Sequence, residues 1–363
     1  MSAGQPRRVL IAPDKFAGSL SAIEAADAIA AGWRAVAPED RVTVLPLADG
    51  GTGFVDVLHA ALGGRLEAVE TTDPLGRPVV GHVLIVDRAD PDGGCTAYVE
   101  SAQACGLHLL TPAERDPSRT MSAGVAALLI AAIDCGADRV VVGIGGSGTN
   151  DGGAGMLDAL GAVGADASRL RAVDLVVATD VDNQLLGPRG ATAVFGPQKG
   201  ADAAMQELLE ERLARLADEV APELADLPGA GAGGGLGFAL FALGGRRVSG
   251  ADLVMQLLDV IAELATSDLV ITGEGALDAQ SLRGKLPMRI AAGCLEVGVP
   301  CVAIAGRVLL GRRQLAAVGF AEAHAVEEYA GSVEAAMEQG AVALRGLAAQ
   351  VAIGWSSSSA HLG

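Results

Sequence analysis

Short apolar runs that end in glycine and a carboxylate recur along this chain, and they constrain its fold more than any other feature. Residues 8–12 lead into Pro13-Asp14, 42–47 into Ala48-Asp49-Gly50-Gly51, and 139–143 into a long glycine loop. Residues 175–179 lead into Asp180, and 268–272 into Gly273-Glu274. Apolar runs of this length bounded by turn residues predict buried strands. Between the first two, Ser21 and Glu24 fit a capping box, and Leu20, Ile23, Ile29 and Trp33 supply the apolar stripe of a helix. With a second helix at 53–62, the chain opens β-α-β-α, the rhythm of a parallel sheet.

The pattern then changes. Residues 66–72, 79–87 and 96–100 are strand-like and separated by Asp73-Pro74-Leu75-Gly76 and Asp90-Pro91-Asp92-Gly93-Gly94. Such short turns predict antiparallel pairing. A helix over 122–135, a strand over 139–143, a helix over 152–160 and a strand over 175–179 follow. Next come an amphipathic helix over 201–220 and a glycine-dense loop over 228–237. The opening rhythm returns after about residue 265, with strands at 268–272, 301–305 and 321–326. The fold class is α/β with two α/β domains. One is a parallel-sheet, flavodoxin- or Rossmann-like domain made from both chain ends (1–66 and 265–363), and the other is an inserted mixed-sheet domain (67–264). The polar stretch 356–363 reads as a disordered tail.

Charge narrows the partners. With 26 Lys and Arg against 44 Asp and Glu, the net charge is −18, which argues against nucleic acid or an anionic membrane as partner. An anionic ligand needs a local set of donors to overcome that field. Five scattered Cys with no CxxC pair, and an N-terminal segment without the apolar core of a secretory leader, predict a reduced cytoplasmic protein. The longest apolar run, 125–133, is far short of a membrane span. Nothing decides whether the chain forms a homo-oligomer.

The strongest motif is the loop from Gly143 to Gly153, with glycine at more than half its positions. It joins a strand to a helix, so its N–H groups and the helix start suit an anion, with Ser147 and Thr149 adding hydroxyls. Asn150 or Asp151 in the same loop also suits a helix N-cap. Gly143, Gly145 and Gly148 formally satisfy GxGxxG, which keeps a nicotinamide-dependent dehydrogenase as the alternative. The acidic residue expected about 20 positions on is missing, however. Asp180 lies 32 residues after Gly148. A Walker A loop and GxSxG are absent. Carboxylates at strand ends (Asp14, Asp49, Asp180 with Asp182, and Glu274 with Asp278) would repel one another unless they hold a hard cation or serve as a base. Lys15, Lys199 and Lys285 stand in Gly- or Pro-bearing loops that suit phosphate.

These loops together resemble the bacterial class I glycerate kinase family. The matching segments are 12–29 (APDKFAGSLSAIEAADAI), 47–56, 73–79, 143–157 (GIGGSGTNDGGAGML), 178–201 (ATDVDNQLLGPRGATAVFGPQKGA), 228–238 and 268–285 (DLVITGEGALDAQSLRGK). The resemblance implies ATP-dependent phosphorylation of D-glycerate with Mg²⁺, the 2-phosphate favoured, on two α/β domains of which one is discontinuous. Many members have Lys at the position of Ala17 and Glu at that of Thr52, so this chain departs there. Asp180, Asp278 and Lys199 are the catalytic candidates, with the base open between the two aspartates. Asp14, Lys15, Ser19, Asp49, Gly50, Gly145, Gly146 and Ser147 are candidates to bind substrate or phosphate. Thr149, Asn150, Asp151, Asn183, Gln198 and Lys285 complete that set. Glu274 and Asp182 are the metal candidates.

Overall fold

The computed structural model describes residues 6–87, 93–162 and 167–358. In chain order its strands are β1 (Arg8–Ile11), β2 (Arg41–Val44), β3 (Arg65–Thr72), β4 (Pro78–Asp87), β5 (Cys95–Glu100) and β6 (Arg139–Gly143). They continue as β7 (Asp174–Ala178), β8 (Arg246–Val248), β9 (Leu269–Thr272), β10 (Ala276–Leu277), β11 (Cys301–Ala305), β12 (Arg307–Val308) and β13 (Phe320–Ala325). One sheet has the order β13-β11-β9-β1-β2 with every pair parallel. A second runs β3 to β8 in sequence order, antiparallel through β3, β4 and β5 and parallel from β5 onward. The fold is therefore mixed α/β, with a parallel sheet and a separate mixed sheet. β10 and β12 form a small parallel pair.

The chain divides into two compact units, residues 1–48 with 254–363, and residues 49–253. The crossings thus fall at 48/49 and 253/254, not at 66 and 264. Helix Phe54–Leu62 packs on β4 and β5, which draws it into the second unit. Helix Val260–Thr266 packs on β1 and on helix Leu286–Val297, which draws it into the first.

In the first unit the capping box at Ser21 is formed. Ser21 Oγ accepts from Glu24 N–H at 3.2 Å, and Glu24 Oε2 accepts from Ser21 N–H at 2.9 Å. That exchange starts helix Ala22–Val36, which presents Ala25, Ala26, Ile29 and Trp33 to Val9, Ile11, Ile271 and Ile304. Few aromatic residues are present, so close backbone approach replaces bulk. Helix Ala341–Ser358 lies close against Gly32, where a methyl group would stand 2.2 Å from Arg345 O. That helix carries residues 356–358, which the sequence assigns to a disordered tail; residues 359–363 lie outside the described residues.

Other differences are local. The second strand stops at Val44, although Leu45 and Leu47 N–H still donate to Ile11 O and Pro13 O at 2.8 and 2.9 Å; the ladder is interrupted on the β1 side, where Pro13 has no N–H. The loop expected over 228–237 gives way to helix Leu236–Ala242 near its end. Residues 88–92, which include most of the second expected turn, lie outside the described residues. No described helix is long and apolar enough to cross a membrane.

Candidate functional site

Parallel strands place their C-terminal ends on one edge of a sheet, the edge where open α/β sheets take ligands. In the second unit that edge carries Glu100 at the end of β5, the glycine loop after β6, Asp180 after β7 and Ser249 after β8.

The loop is pinned by backbone packing. Gly145 N–H donates to Gly50 O at 3.0 Å, and a methyl group on Gly143 would stand 2.6 Å from that same oxygen. Gly50 itself has φ +85°. Thr52 touches the loop directly, since a methyl group on Gly146 would stand 2.6 Å from Thr52 Oγ1. Several of these glycines thus have a packing reason to be there, independent of any dinucleotide. Asp49, half-exposed, accepts from Gly51 N–H at 3.1 Å.

Thr149 and Asn150 are wholly buried, so they shape the loop instead of facing solvent. Asn150 Nδ2 donates to the buried Thr192 Oγ1 at 2.9 Å. Asp151 is the cap of helix Ala154–Ala162. Its carboxylate accepts from Gly153 and Gly155 N–H, and from Ser122 N–H and Oγ–H, both at 2.8 Å. Of the loop candidates, Gly146 is exposed, Gly145 is partly exposed and Ser147 is 6% exposed.

Behind Ser147 lies Lys199, only 2% exposed although it sits in a Gly/Pro loop. Its ammonium donates to Ser147 Oγ at 3.0 Å and to Thr149 O at 2.6 Å. Burial lowers its pKa from the ordinary lysine value to about 8. The same enclosure pushes the neighbouring Cys105 thiol up to about 12. None of the five cysteines is in a disulfide.

Asp180 is exposed at the end of β7. Its Oδ1 accepts from Ser249 Oγ–H at 2.6 Å and its Oδ2 from Ala251 N–H at 3.1 Å, which aims the carboxylate along the sheet edge. Asp182 is exposed. Asn183 is a brace: its Nδ2 donates to Arg189 O at 2.6 Å, and its carbonyl accepts from Gly229 and Gly231 N–H. Gln198 is exposed in the turn before Lys199.

In the first unit β1 and β9 end side by side. Asp14 N–H donates to Gly273 O at 2.8 Å, and the buried Asp14 carboxylate accepts from Lys15 N–H at 2.7 Å, with Lys15 Nζ at 3.7 Å. Ser19 is exposed and donates to Phe16 O at 3.1 Å. Glu274 is 5% exposed; Ser281 Oγ donates to its Oε1 at 2.5 Å and Lys285 Nζ to its Oε2 at 3.2 Å. Burial raises its pKa above the ordinary carboxylate value. Both oxygens are occupied and the charge is paired, which makes Glu274 an anchor for Lys285 and a poor metal ligand as it stands. Asp278 Oδ1 accepts from Gln280 and Ser281 N–H at 2.8 and 3.1 Å. Asp182 and Glu274, the two metal candidates, belong to different units. Among the described residues no group of three or more His, Cys, Asp or Glu is arranged to hold a metal ion.

Three contributors escaped the sequence reading. Buried Glu100 accepts from Gly53 and Val55 N–H and so caps helix Phe54–Leu62. Ser249 steers Asp180. Ser281 links Glu274 to Asp278, donating to one and accepting from the other's N–H at 3.2 Å. Glu100 carries the same strand-end carboxylate signal as Asp180; the two serines have no local signal.

Comparison with known proteins decides the family. The model of the glycerate kinase family matches residues 9–169 and 164–356. The chain belongs to the glycerate kinase family. As a member it is a kinase. It is 42% identical over 330 residues to the glycerate kinase of Bacillus subtilis strain 168, covering 83% of this chain and 85% of that one. With the glycerate 2-kinase of Escherichia coli K12 it shares 39% identity, covering 82% and 85%. Among solved structures, one from Salmonella typhimurium LT2 assigned as glycerate kinase 2 matches with a TM-score of 0.75 and 37% identity, over 98% of this chain and 99% of that one. Family membership gives the dehydrogenase alternative no support.

Proposed function

We propose that the protein transfers the γ-phosphoryl group of ATP to D-glycerate, at the 2-hydroxyl. The observation that carries this reading is a juxtaposition on one sheet edge of a kinase-family chain. An anion-suited glycine loop follows β6, and a steered, exposed carboxylate, Asp180, follows the adjacent strand β7. In phosphoryl transfer the protein mainly positions the reactants and offsets charge. Asp180 accepts the proton of the substrate hydroxyl; Asp278 is the second candidate for that role. Gly146 and Ser147 offer donors to an anionic group, while Gly145, whose N–H is taken by Gly50 O, shapes the loop; Lys15 and Lys285 are cations suited to phosphate.

Mg²⁺ bound to the nucleotide would offset the charge of the phosphates. It is usually held by one or two carboxylates together with phosphate oxygens and waters, so a single exposed carboxylate suffices as the protein's share. Asp182 is the protein ligand we favour, because its exposed carboxylate takes no hydrogen bond or ion pair among the described residues, whereas Glu274 is engaged by Ser281 and Lys285. The 2-position follows the name of the Escherichia coli relative. ADP release, followed through a pyruvate kinase and lactate dehydrogenase couple, should require ATP, Mg²⁺ and D-glycerate together. ADP release that ignores D-glycerate would remove the substrate assignment.

A further inference from the structure

We infer that Lys199 is a positioning residue which acts on a bound anion through the hydroxyl of Ser147, and that this hydroxyl is the charged-ligand donor of the glycine loop. The inference rests on the proposed function only in taking the anion to be D-glycerate or a phosphate.

The geometry carries it. Lys199 Nζ donates to Ser147 Oγ, so the ammonium occupies one lone pair of that oxygen and the hydroxyl's own proton points elsewhere, left to donate. A hydroxyl that accepts from a cation is polarised and becomes a stronger donor. The ammonium is itself closed off. Thr149 O takes a second proton, and the glycine-dense loop roofs it so tightly that a methyl group on Gly234 would stand 2.9 Å from Nζ and 1.9 Å from Thr149 O. No carboxylate lies within ion-pair distance of Lys199 among the described residues. A buried charge of this kind is unfavourable unless something compensates it, and an anion at Ser147 would do so at one remove.

The titratable groups that face Lys199 are the Cys105 thiol and the Asp151 carboxylate. Burial keeps the thiol protonated well above neutral pH, and the carboxylate is fixed in its capping role. Lys199 is therefore the group that changes charge near pH 8. Anion affinity should hold below that pH and decline above it.

The test is calorimetric binding of D-glycerate and, separately, of inorganic phosphate at pH 7 and pH 9.5. Wild type, Ser147→Ala, Lys199→Met and the double variant are compared, with thermal melts confirming that each is folded. Each single change should weaken binding roughly 10- to 150-fold at pH 7, the loss expected for a hydrogen bond to a charged group. The double variant should be no more than about 3-fold worse than either single, because both remove one interaction. Wild type should bind more weakly at pH 9.5, and Ser147→Ala should lose most of that dependence. Additive losses, or an unchanged pH dependence in Ser147→Ala, would overturn the inference in favour of direct contact between Lys199 and the anion. Wild-type affinity in Ser147→Ala would overturn it outright, and this smaller side chain keeps the test open if Lys199→Met does not fold. Binding of phosphate without D-glycerate would leave the inference standing with phosphate as the anion; binding of neither would end the inference, while the substrate is judged by the ADP assay.

Discussion

Asp180→Asn should lower kcat by roughly 10²–10⁴ while leaving the affinity for Mg·ATP near the wild-type value, since it removes a base and little else. The substitution is well tolerated by the site. Asn Oδ1 can accept from Ala251 N–H, and its Nδ2 can donate to Ser249 Oγ, which already accepts from Asp252 N–H at 3.0 Å. What is lost is the negative charge beside the start of helix Gly250–Leu257, worth at most about 1 kcal/mol at an exposed end. Melting should therefore shift by only a few degrees, about 2–4 °C per kcal/mol for a domain of some 150–250 residues. Steady-state kinetics alongside a melt separate the two roles. Near-normal turnover with a lowered melting point would make Asp180 a helix cap only and pass the base to Asp278.

The second large effect is on stability. Gly234→Ala places a methyl group 1.9 Å from Thr149 O on a backbone held at φ +71°. Neither backbone segment can yield cheaply, because Gly152 N–H donates to Gly234 O at 3.0 Å and Thr149 O receives Lys199. A loss of about 3–5 kcal/mol in urea unfolding is expected, at the severe end for one substitution. Gly161→Ala is the control. Among the described residues nothing lies within 4 Å of a methyl group there, and the helical position should gain about 0.5–1 kcal/mol. A loss below about 1 kcal/mol for Gly234→Ala would show that the roof over Lys199 is loose and would weaken the case that its ammonium is sealed.

The elements were most legible where local chemistry decides the conformation. β6 and β11 are continuous apolar runs between turn residues, and the Ser21–Glu24 capping box fixes a helix start within four residues. The turn at Asp73–Gly76 was equally readable, since Asp73 Oδ1 accepts from Leu75 and Arg77 N–H at 2.8 and 2.9 Å. Illegible features depend on partners far away in sequence. Lys199 reads as a loop lysine suited to phosphate, and its burial shows only once the loop around Gly234 and the segment around Thr149 close over it. Helix Ala341–Ser358 hid because its Ala- and Gly-rich face only makes sense against Gly32.

For the candidate site the sequence separated types of residue better than roles. It placed Ser147 and Asp151 among the substrate or phosphate binders and Lys199 among the catalytic candidates. Geometry divides them into a donor near the surface, a helix cap and a buried cation. Glu274 was selected as a metal ligand for being a carboxylate after a strand, and only the folded chain shows Ser281 and Lys285 already holding it.

One measurement tests the central claim most directly: the purified protein with ATP, Mg²⁺ and D-glycerate, coupled to enolase and read at the absorbance of phosphoenolpyruvate, with phosphoglycerate mutase omitted. Enolase dehydrates only the 2-phosphate isomer, so the account predicts an immediate rise that needs no mutase and disappears when D-glycerate is left out. A rise that begins only after mutase is added would move the phosphoryl group to the 3-hydroxyl. No phosphoenolpyruvate under either condition, with D-glycerate recovered unchanged, would contradict the assignment of this chain as an ATP-dependent kinase of D-glycerate.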